Sequence, residues 1–310
     1  MTPDPTLATA AATEPIDVVY TWVDGTRPDY LALLSRYTSN PRDLNPERFR
    51  DTFECLRHSL RGLEQHAPWV RHVYLFTCRP HVPPWLRRDH PRVRVVHHDE
   101  VIPDDGTLPT FNSNVIESYL HQLPGISRRF LYFNDDYFAA ASLTRDHFFA
   151  RDGRMKVYGT LAGEYFRSRI YEKQWLYLGL LEHGPLLIDR EEYAAAMNTA
   201  VDEVAATRAH RFRRPDDVRI ERLYRWYLLT RRRDIAVAEP CWRYVRYARF
   251  HKVDQNLARS QRACARLLRQ PPALLCLNDD QRERPNPAVV ALVRDFLAKL
   301  FPHPSSFEAA

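Results

Sequence analysis

The sequence predicts an α/β fold, with a Rossmann-like, mainly parallel sheet in its first half and a mostly helical second half packed on it. Three observations lead there. Short β-branched runs alternate with helical periodicity over the first half. Four of those runs end in polar residues, and in open α/β sheets ligands bind beyond the carboxyl ends of the strands. Past residue 150 strand signals thin out while Arg and aromatic residues become dense.

The elements follow in order. Residues 1–15, rich in Ala, Thr and Pro, read as a disordered lead-in. IDVVYTWVDG (16–25) reads as a buried strand, Ile16–Thr21, closing in a turn at Gly25. Asp51 and Glu54 have the spacing of a capping box. Phe53, Leu56, Leu60 and Leu63 then recur at helical spacing, and Pro68 stops the run. VRHVYLFTC (70–78) and RVRVVHH (92–98) read as the second and third strands. SNVIESYLHQLPG reads as a helix opened by Asn112 or Ser113 and stopped at Pro124–Gly125. RFLYFNDD (129–136) is a fourth strand running into two carboxylates, and residues 172–260 read as mostly helical. Asn286 caps the last helix, Pro287 takes its first position, and Val290, Val293, Phe296, Leu297 and Leu300 line one face.

Composition narrows the class. The 310 residues are 45% hydrophobic and 27% charged, which excludes a disordered or fibrous protein. No apolar run approaches the ~18 residues of a spanning helix. The N-terminal stretch lacks the basic and leucine-rich regions of a secretory signal, so a cytoplasmic protein is the expectation. Five scattered cysteines without a CxxC pair read as reduced small hydrophobes. The net charge is +6, and only four of the 45 basic residues are lysine. Arginine suits bidentate phosphate binding, although a general bias toward Arg accounts for most of the scattered ones.

Several groups carry candidate chemistry. Asn134, Asp135 and Asp136 at a strand end suit a hard cation shared with phosphate oxygens, with turn chemistry as the plain alternative. The same pair of readings applies to Asp24 before Gly25. Asn112, Ser113 and Asn114 open a helix, where free N–H groups favour anions. Glu117 follows, either as a general base or as a favourable partner of the helix dipole. His183, before Gly184–Pro185, offers an imidazole to take a proton from a hydroxyl, or is structural. His210, Arg211, Arg213 and Arg214 before Pro215 read as a phosphate clamp or a solvated basic face. WRYVRYARFHK (242–252) combines arginine and aromatic residues as nucleic-acid binders do. An element packed on the sheet with its arginines in solvent is favoured, because strand-end carboxylates repel a polyanion.

Together these pieces resemble the Stealth family of sugar-phosphate transferases. The first block resembles IDVVYTWVDG. The second is similar to the run from RFRD (48–51) through SLRGLEQHAPWVRHVYLFT, LPTFNSNVIE and LPGISRRFLYFNDDYF. The third is similar to HGPLLIDR with FRRPDDV, and the fourth to LCLNDD (275–280) with VRDFLAKLFPHPSSFE. The resemblance implies a single catalytic domain over 16–310. Within it, 16–150 would be a nucleotide-sugar-binding part, 151–270 a helical part and 271–310 a block closing the site. It implies transfer of sugar-1-phosphate, N-acetylglucosamine-1-phosphate by analogy with the animal branch, from a UDP-sugar to a glycan or polysaccharide hydroxyl, with UMP released. By motif match the catalytic residues would be Glu117, Asp136, His183 and Arg213, with Glu117 and His183 both open as the base. Asp135, Asp136 and Asp279 would bind Mg²⁺ or Mn²⁺. Asp24, Arg57, Asn112, Ser113, Asn114 and Asn278 would bind nucleotide or substrate. The implied partners are the donor, the acceptor and a capsule or cell-wall assembly met peripherally, without nucleic acid. A metal-dependent glycosyltransferase releasing UDP is the alternative. Two departures stand out: Arg27 occupies a position where family members often carry an acid, leaving Asp29 to substitute, and Gly184 precedes Pro185 where others carry a bulkier residue.

Overall fold

The computed structural model describes residues 5–44, 49–160, 164–165, 175–176, 179–180 and 184–309. The chain opens with α1 (Pro5–Thr13), β1 (Ile16–Trp22), α2 (Pro28–Ser35), α3 (Cys55–His66), β2 (Val70–Thr77), β3 (Val93–His97), α4 (Ser113–Glu117), β4 (Arg129–Asn134) and β5 (Tyr137–Ala139). β6 (Met155–Thr160), β7 (Glu164–Tyr165), β8 (Trp175–Leu176), β9 (Gly179–Leu180), β10 (Leu186–Asp189), α5 (Arg190–Asn198), α6 (Val201–Arg208) and α7 (Ile220–Arg231) follow. The chain closes with β11 (Ala236–Pro240), α8 (Cys241–Tyr244), β12 (Ala248–Val253), α9 (Leu257–Arg269), β13 (Leu274–Asp279) and α10 (Pro287–Leu300).

The central sheet has the order β10-β4-β1-β2-β3. β4, β1, β2 and β3 are parallel, and β10 joins β4 antiparallel. This is the mainly parallel α/β arrangement the sequence predicts. Val18, Val19 and Tyr20 of β1 and Phe130, Leu131 and Phe133 of β4 are all buried, as strands covered on both faces require. The register levels the strand ends: Thr21 pairs with Asn134, Trp22 with Thr77, and Thr77 with His97.

Asp17, fully buried at the other end of β1, sets that register. Arg71 and His72 both stand opposite it, where the β1–β2 pairing shifts by one residue. Its carboxylate accepts from the Arg71 guanidinium (2.8 and 2.7 Å), the His72 N–H (3.1 Å) and the Ser127 N–H (2.8 Å). Its own N–H donates to Ser127 Oγ. One side chain thus joins the starts of β1 and β2 to the loop entering β4.

A second sheet, β12-β13-β5, packs Leu275, Leu277 and Phe138 against Val289, Val293, Phe296 and Leu297 of α10. Asn286 Oδ1 accepts from the Ala288 N–H at 3.0 Å and Pro287 is the first helical residue, as the sequence implies. Among the described residues no helix is long and apolar enough to cross a membrane. The five cysteines are free thiols, four of them buried.

Several expectations need correction. Residues 5–13 are helical, held by the Arg145 guanidinium on the Ala11 and Glu14 carbonyls and by the Arg129–Glu14 pair at 2.8 Å. The helix expected over 113–123 stops after Glu117. There the Arg208 guanidinium takes the Ser118 carbonyl and hydroxyl, groups that would otherwise serve the helix. The capping box at α3 does not form. Asp51 accepts from the Cys55 N–H at 2.7 Å, but Glu54 adopts φ 56° and turns its side chain to Arg57 and Arg294. Within 172–260, β11 and β12 are strands, because each finds a parallel partner, β6 and β13 respectively.

The C-terminal tail closes on α3 through Glu308. Burial pushes this carboxyl up, but hydrogen bonds from Arg61, the Ser305 N–H and Arg57 outweigh it and hold the group at about 2. The stabilisation is complete above the ordinary glutamate value of 4.5 and is lost as pH falls from there toward 2. Glu308→Gln should therefore lower the melting temperature at pH 7, with the gap to the native protein closing in melts run toward pH 2. Asp17→Ala, which removes the partner of the part-exposed Arg71 guanidinium and leaves two N–H groups unpaired, should cost about 3 kcal/mol in chemical denaturation.

Candidate active site

Beyond the level ends of β1 and β4, segment 49–55, the tip of β13 and the start of α4 enclose a cavity of about 500 Å³. Asp51, Asp135, Asp136 and Asp279 line it, facing Arg50 and Arg213. Trp22, Tyr30, Phe49 and Phe111 give it an aromatic wall. The cavity lies where the open-sheet rule puts a ligand.

Local structure accounts for each acid. Asp135 and Asp136 are the β4–β5 turn, and the Asp136 carbonyl accepts from the Leu277 N–H at 3.0 Å, tying that turn to β13. Gly25 admits the chain that carries Arg50 and Asp51. Its N–H donates to the Phe49 carbonyl at 2.5 Å, and a Cβ at this position would collide with Phe49. Asp51 is then fixed by Trp22 Nε1 at 3.0 Å and the Cys55 N–H. Asp279 accepts from Arg50 Nε at 2.6 Å and from the Gln281 N–H at 3.0 Å.

The acids strain one another electrostatically. Burial raises the Asp135 carboxyl well above the usual range, and the neighbouring charges of Asp51 and Asp136 raise it further. Asp51 is also raised, chiefly by burial. Carboxylate oxygens are the donors hard cations take, and this mutual repulsion is what such a cation relieves. Asp51, Asp135 and Asp136 therefore fit Mg²⁺ or Mn²⁺ by chemistry. Their oxygens stand wider apart than those of His210, Asp216 and Asp217, the one set of three among the described residues whose ligand atoms all lie within 4.8 Å of one another. The wider spacing leaves room for the phosphate oxygens and water that Mg²⁺ favours. The His210 group is a structural strut: Asp217 accepts from Asn112 Nδ2 at 2.7 Å and the Arg214 N–H at 2.8 Å while His210 Nδ1 lies 2.7 Å away.

Glu117 sits behind the wall at the end of α4. Burial, with the charge of Glu221, pushes its carboxyl up to about 8 against the pull of Arg213 and Arg219. Tyr132 Oη makes a long contact to Glu117 Oε1 (3.5 Å) and lies 3.1 Å from Thr21 Oγ1, which lines the cavity. A chain of hydroxyls thus leads from the cavity to the carboxyl.

The other candidates divide. Arg213 and Ser113 both line the cavity and are hydrogen-bonded to each other, and Asn278 lines it as well. Asn112 is buried as the cap of α4 and donates to Asp217, so it and Asn114 shape the loop without reaching the cavity. Asp24 accepts from the Thr26 N–H and hydroxyl, the turn chemistry weighed as its plain alternative, and is not in the lining. Arg57 points to Glu308 and the Trp85 ring and is not in the cavity lining. Asp29 pairs with Arg27 at 3.0 Å instead of turning inward. Arg211 is spent on the Gly106, Thr107 and Leu108 carbonyls. His183 lies outside the described residues. Sequence reasoning did not place Arg50 or Asp51 at the site: both belong to the quoted RFRD block, and Asp51 with Glu54 read as capping.

A carboxyl raised from 4.5 to about 8 opposes folding once the unfolded chain ionises, increasingly from pH 4.5 to 8 and constantly above. Glu117→Gln should accordingly stabilise the protein at pH 8–9, on the order of a few kcal/mol, with little effect at pH 4, as read in paired thermal melts.

The chain matches known protein regions and is similar to known proteins. The description Stealth protein CR1, conserved region 1, matches residues 14–41; CR2, conserved region 2, matches 48–157; and CR4, conserved region 4, matches 265–310. Residues 158–264, with His183 and Arg213, fall between these matches. The chain is similar to an exopolysaccharide phosphotransferase of Streptomyces coelicolor, 34% identical over 321 residues, covering 96% of this chain and 52% of the relative. A second exopolysaccharide phosphotransferase of that organism is 34% identical over 316 residues, covering 95% and 52%. The capsular polysaccharide phosphotransferase SacB of Neisseria meningitidis serogroup A is 29% identical over 315 residues, covering 94% and 57%. The chain spans about half the length of the curated relatives it matches. The matched regions supply β1, the Asp51 segment, the β4 acids and the tip of β13, and by them the chain belongs to the Stealth protein family.

Proposed function

We propose that the chain transfers sugar-1-phosphate from a UDP-sugar, with UDP-N-acetylglucosamine the first donor to test, to a hydroxyl of a polysaccharide acceptor. The acceptor oxygen bonds to the β-phosphorus. The bond from that phosphorus to the α–β bridging oxygen breaks, and UMP leaves with the electron pair. The acceptor's proton passes to a base, and the product is a phosphodiester.

The observation that carries this reading is the gathering of Asp51, Asp135 and Asp136 opposite Arg50 and Arg213 around one cavity beyond the parallel strands. Phosphoryl transfer asks for positioning and charge neutralisation more than for covalent chemistry. Family membership and the names of the similar proteins support the same reaction class. Asp135 and Asp136, with Asp51, would hold Mg²⁺ or Mn²⁺, which when bound neutralises diphosphate charge. Arg213, exposed and braced by Ser113, suits non-bridging phosphoryl oxygens. Trp22, Tyr30 and Phe111 offer apolar surface to the base or sugar. Glu117, at about 8, exchanges its proton close to neutral pH, as a base for a hydroxyl requires. His183 is the second candidate for that role.

The test is an assay of UMP and UDP separately, with Mg²⁺, a panel of UDP-sugars and a polysaccharide acceptor. UMP should appear with one donor and disappear with EDTA and in Asp136→Ala. UDP in its place sinks sugar-phosphate transfer in favour of ordinary glycosyl transfer. With Glu117 as base, the rate climbs about tenfold per pH unit and levels near pH 8, and Glu117→Gln abolishes it. An unchanged profile in Glu117→Gln, with activity lost in His183→Ala, assigns the role to His183.

A further inference from the structure

Exposed apolar surface is concentrated in one stretch of the chain. Of the six large hydrophobic side chains exposed among the described residues, Trp242, Val245 and Phe250 fall within nine consecutive positions of α8 and β12. Arg243, Arg246, Arg249 and Lys252, all exposed, are interleaved with them. Arg243 pairs with Glu239 at 2.6 Å and Lys252 with Asp280 at 2.8 Å. Arg246 and Arg249 make no ion pair among the described residues. The Arg246 guanidinium lies 4.6 Å from the Trp242 ring centroid, and Arg249 donates to the Val245 and Ala248 carbonyls.

The register ties this stretch to the cavity. β12 is the edge strand of its sheet and runs parallel to β13, with Phe250 opposite Cys276 and Lys252 opposite Asn278. Residues paired in this way project from the same face. Cys276 Sγ contacts Asp136 Oδ2 at 3.6 Å and Asn278 lines the cavity, so Phe250 and Lys252 share the cavity's face. Asp280, the partner of Lys252, also lines the cavity. From Lys252 back to Ala248 the strand covers about 13 Å, and α8 with Trp242, followed by the turn that carries Arg246, adjoins that far end.

We infer that this stretch is a docking track for an anionic glycan, the phosphodiester-bearing acceptor chain, leading it to the cavity. The occupant's identity rests on the sugar-phosphate-transfer reading. A chain of sugars joined by phosphodiesters alternates apolar ring faces with single negative charges. The track sets Trp242, Val245 and Phe250 beside Arg246 and Lys252, and Arg246 makes no ion pair among the described residues. Exposed aromatic and arginine side chains together are what recognition surfaces concentrate.

The experiment uses the full chain and fluorescence anisotropy with three labelled probes: a short glycosyl-phosphate oligomer, a neutral dextran of equal length and a single-stranded oligonucleotide. The oligomer should bind at least tenfold more tightly than the dextran. Trp242→Ala, and separately Arg246→Glu, should each weaken it about five- to tenfold, while Trp242→Phe keeps most of the affinity. UDP affinity and the melting temperature should stay unchanged, separating a lost contact from a lost fold. Equal binding by the variants, equal binding of dextran, or tighter binding of the oligonucleotide through the same residues overturns the proposal. If the native protein fails to bind UDP while the track residues still govern the oligomer, the transfer reading fails and the track stands.

Discussion

Three carboxylates around one cavity repel one another, and the site is organised around that repulsion. Asp135 ends β4, Asp136 turns toward β13, and Asp51 arrives from the segment admitted by Gly25. Burial and neighbouring charge make Asp135 and Asp51 hold their protons more tightly than in water. Such an arrangement persists only where the surrounding structure enforces it or where an added cation relieves it.

The enforcement is visible at some distance from the acids. Asp17 fixes three strand starts, and because the strands are parallel and continuous the same register delivers Thr21, Trp22 and Asn134 level at the other end. Trp22 then holds Asp51, and Leu277 of β13 holds Asp136. The tail contributes through Glu308, which clamps the α3 helix that starts beside Asp51. Opposing charge is near but apportioned: Arg50 engages Asp279, and Arg213 leans on Ser113 at the cavity. Asp51 and Asp135 make no ion pair among the described residues, which suits a ligand that carries its own positive charge.

Much of this was legible in the sequence. The four strand runs and their polar ends follow from β-branched periodicity, and Asn286–Pro287 marked the last helix by cap chemistry alone. Asp135, Asp136, Arg213, Ser113 and Asn278, singled out by their motifs, line the cavity. Other features depend on tertiary contacts that no local pattern encodes. Asp51 has the spacing of a helix cap and does accept the Cys55 N–H, yet its second oxygen takes Trp22, a residue 29 positions earlier. Arg57 sits in a matched block but is drawn off by Glu308, 251 positions away. β11 and β12 are strands because β6 and β13 are there to pair with, and Ser118 ends a helix because Arg208 claims its carbonyl.

If repulsion among Asp51, Asp135 and Asp136 defines the site, binding a cation must expel a proton. Titrating Mn²⁺ into the protein by calorimetry, near pH 7 and in two buffers of different ionisation enthalpy, measures both events at once. The account predicts saturable binding with net proton release that grows as the pH is lowered, and loss of both in Asp135→Asn. Binding without proton release, or no binding with the acids intact, would contradict it.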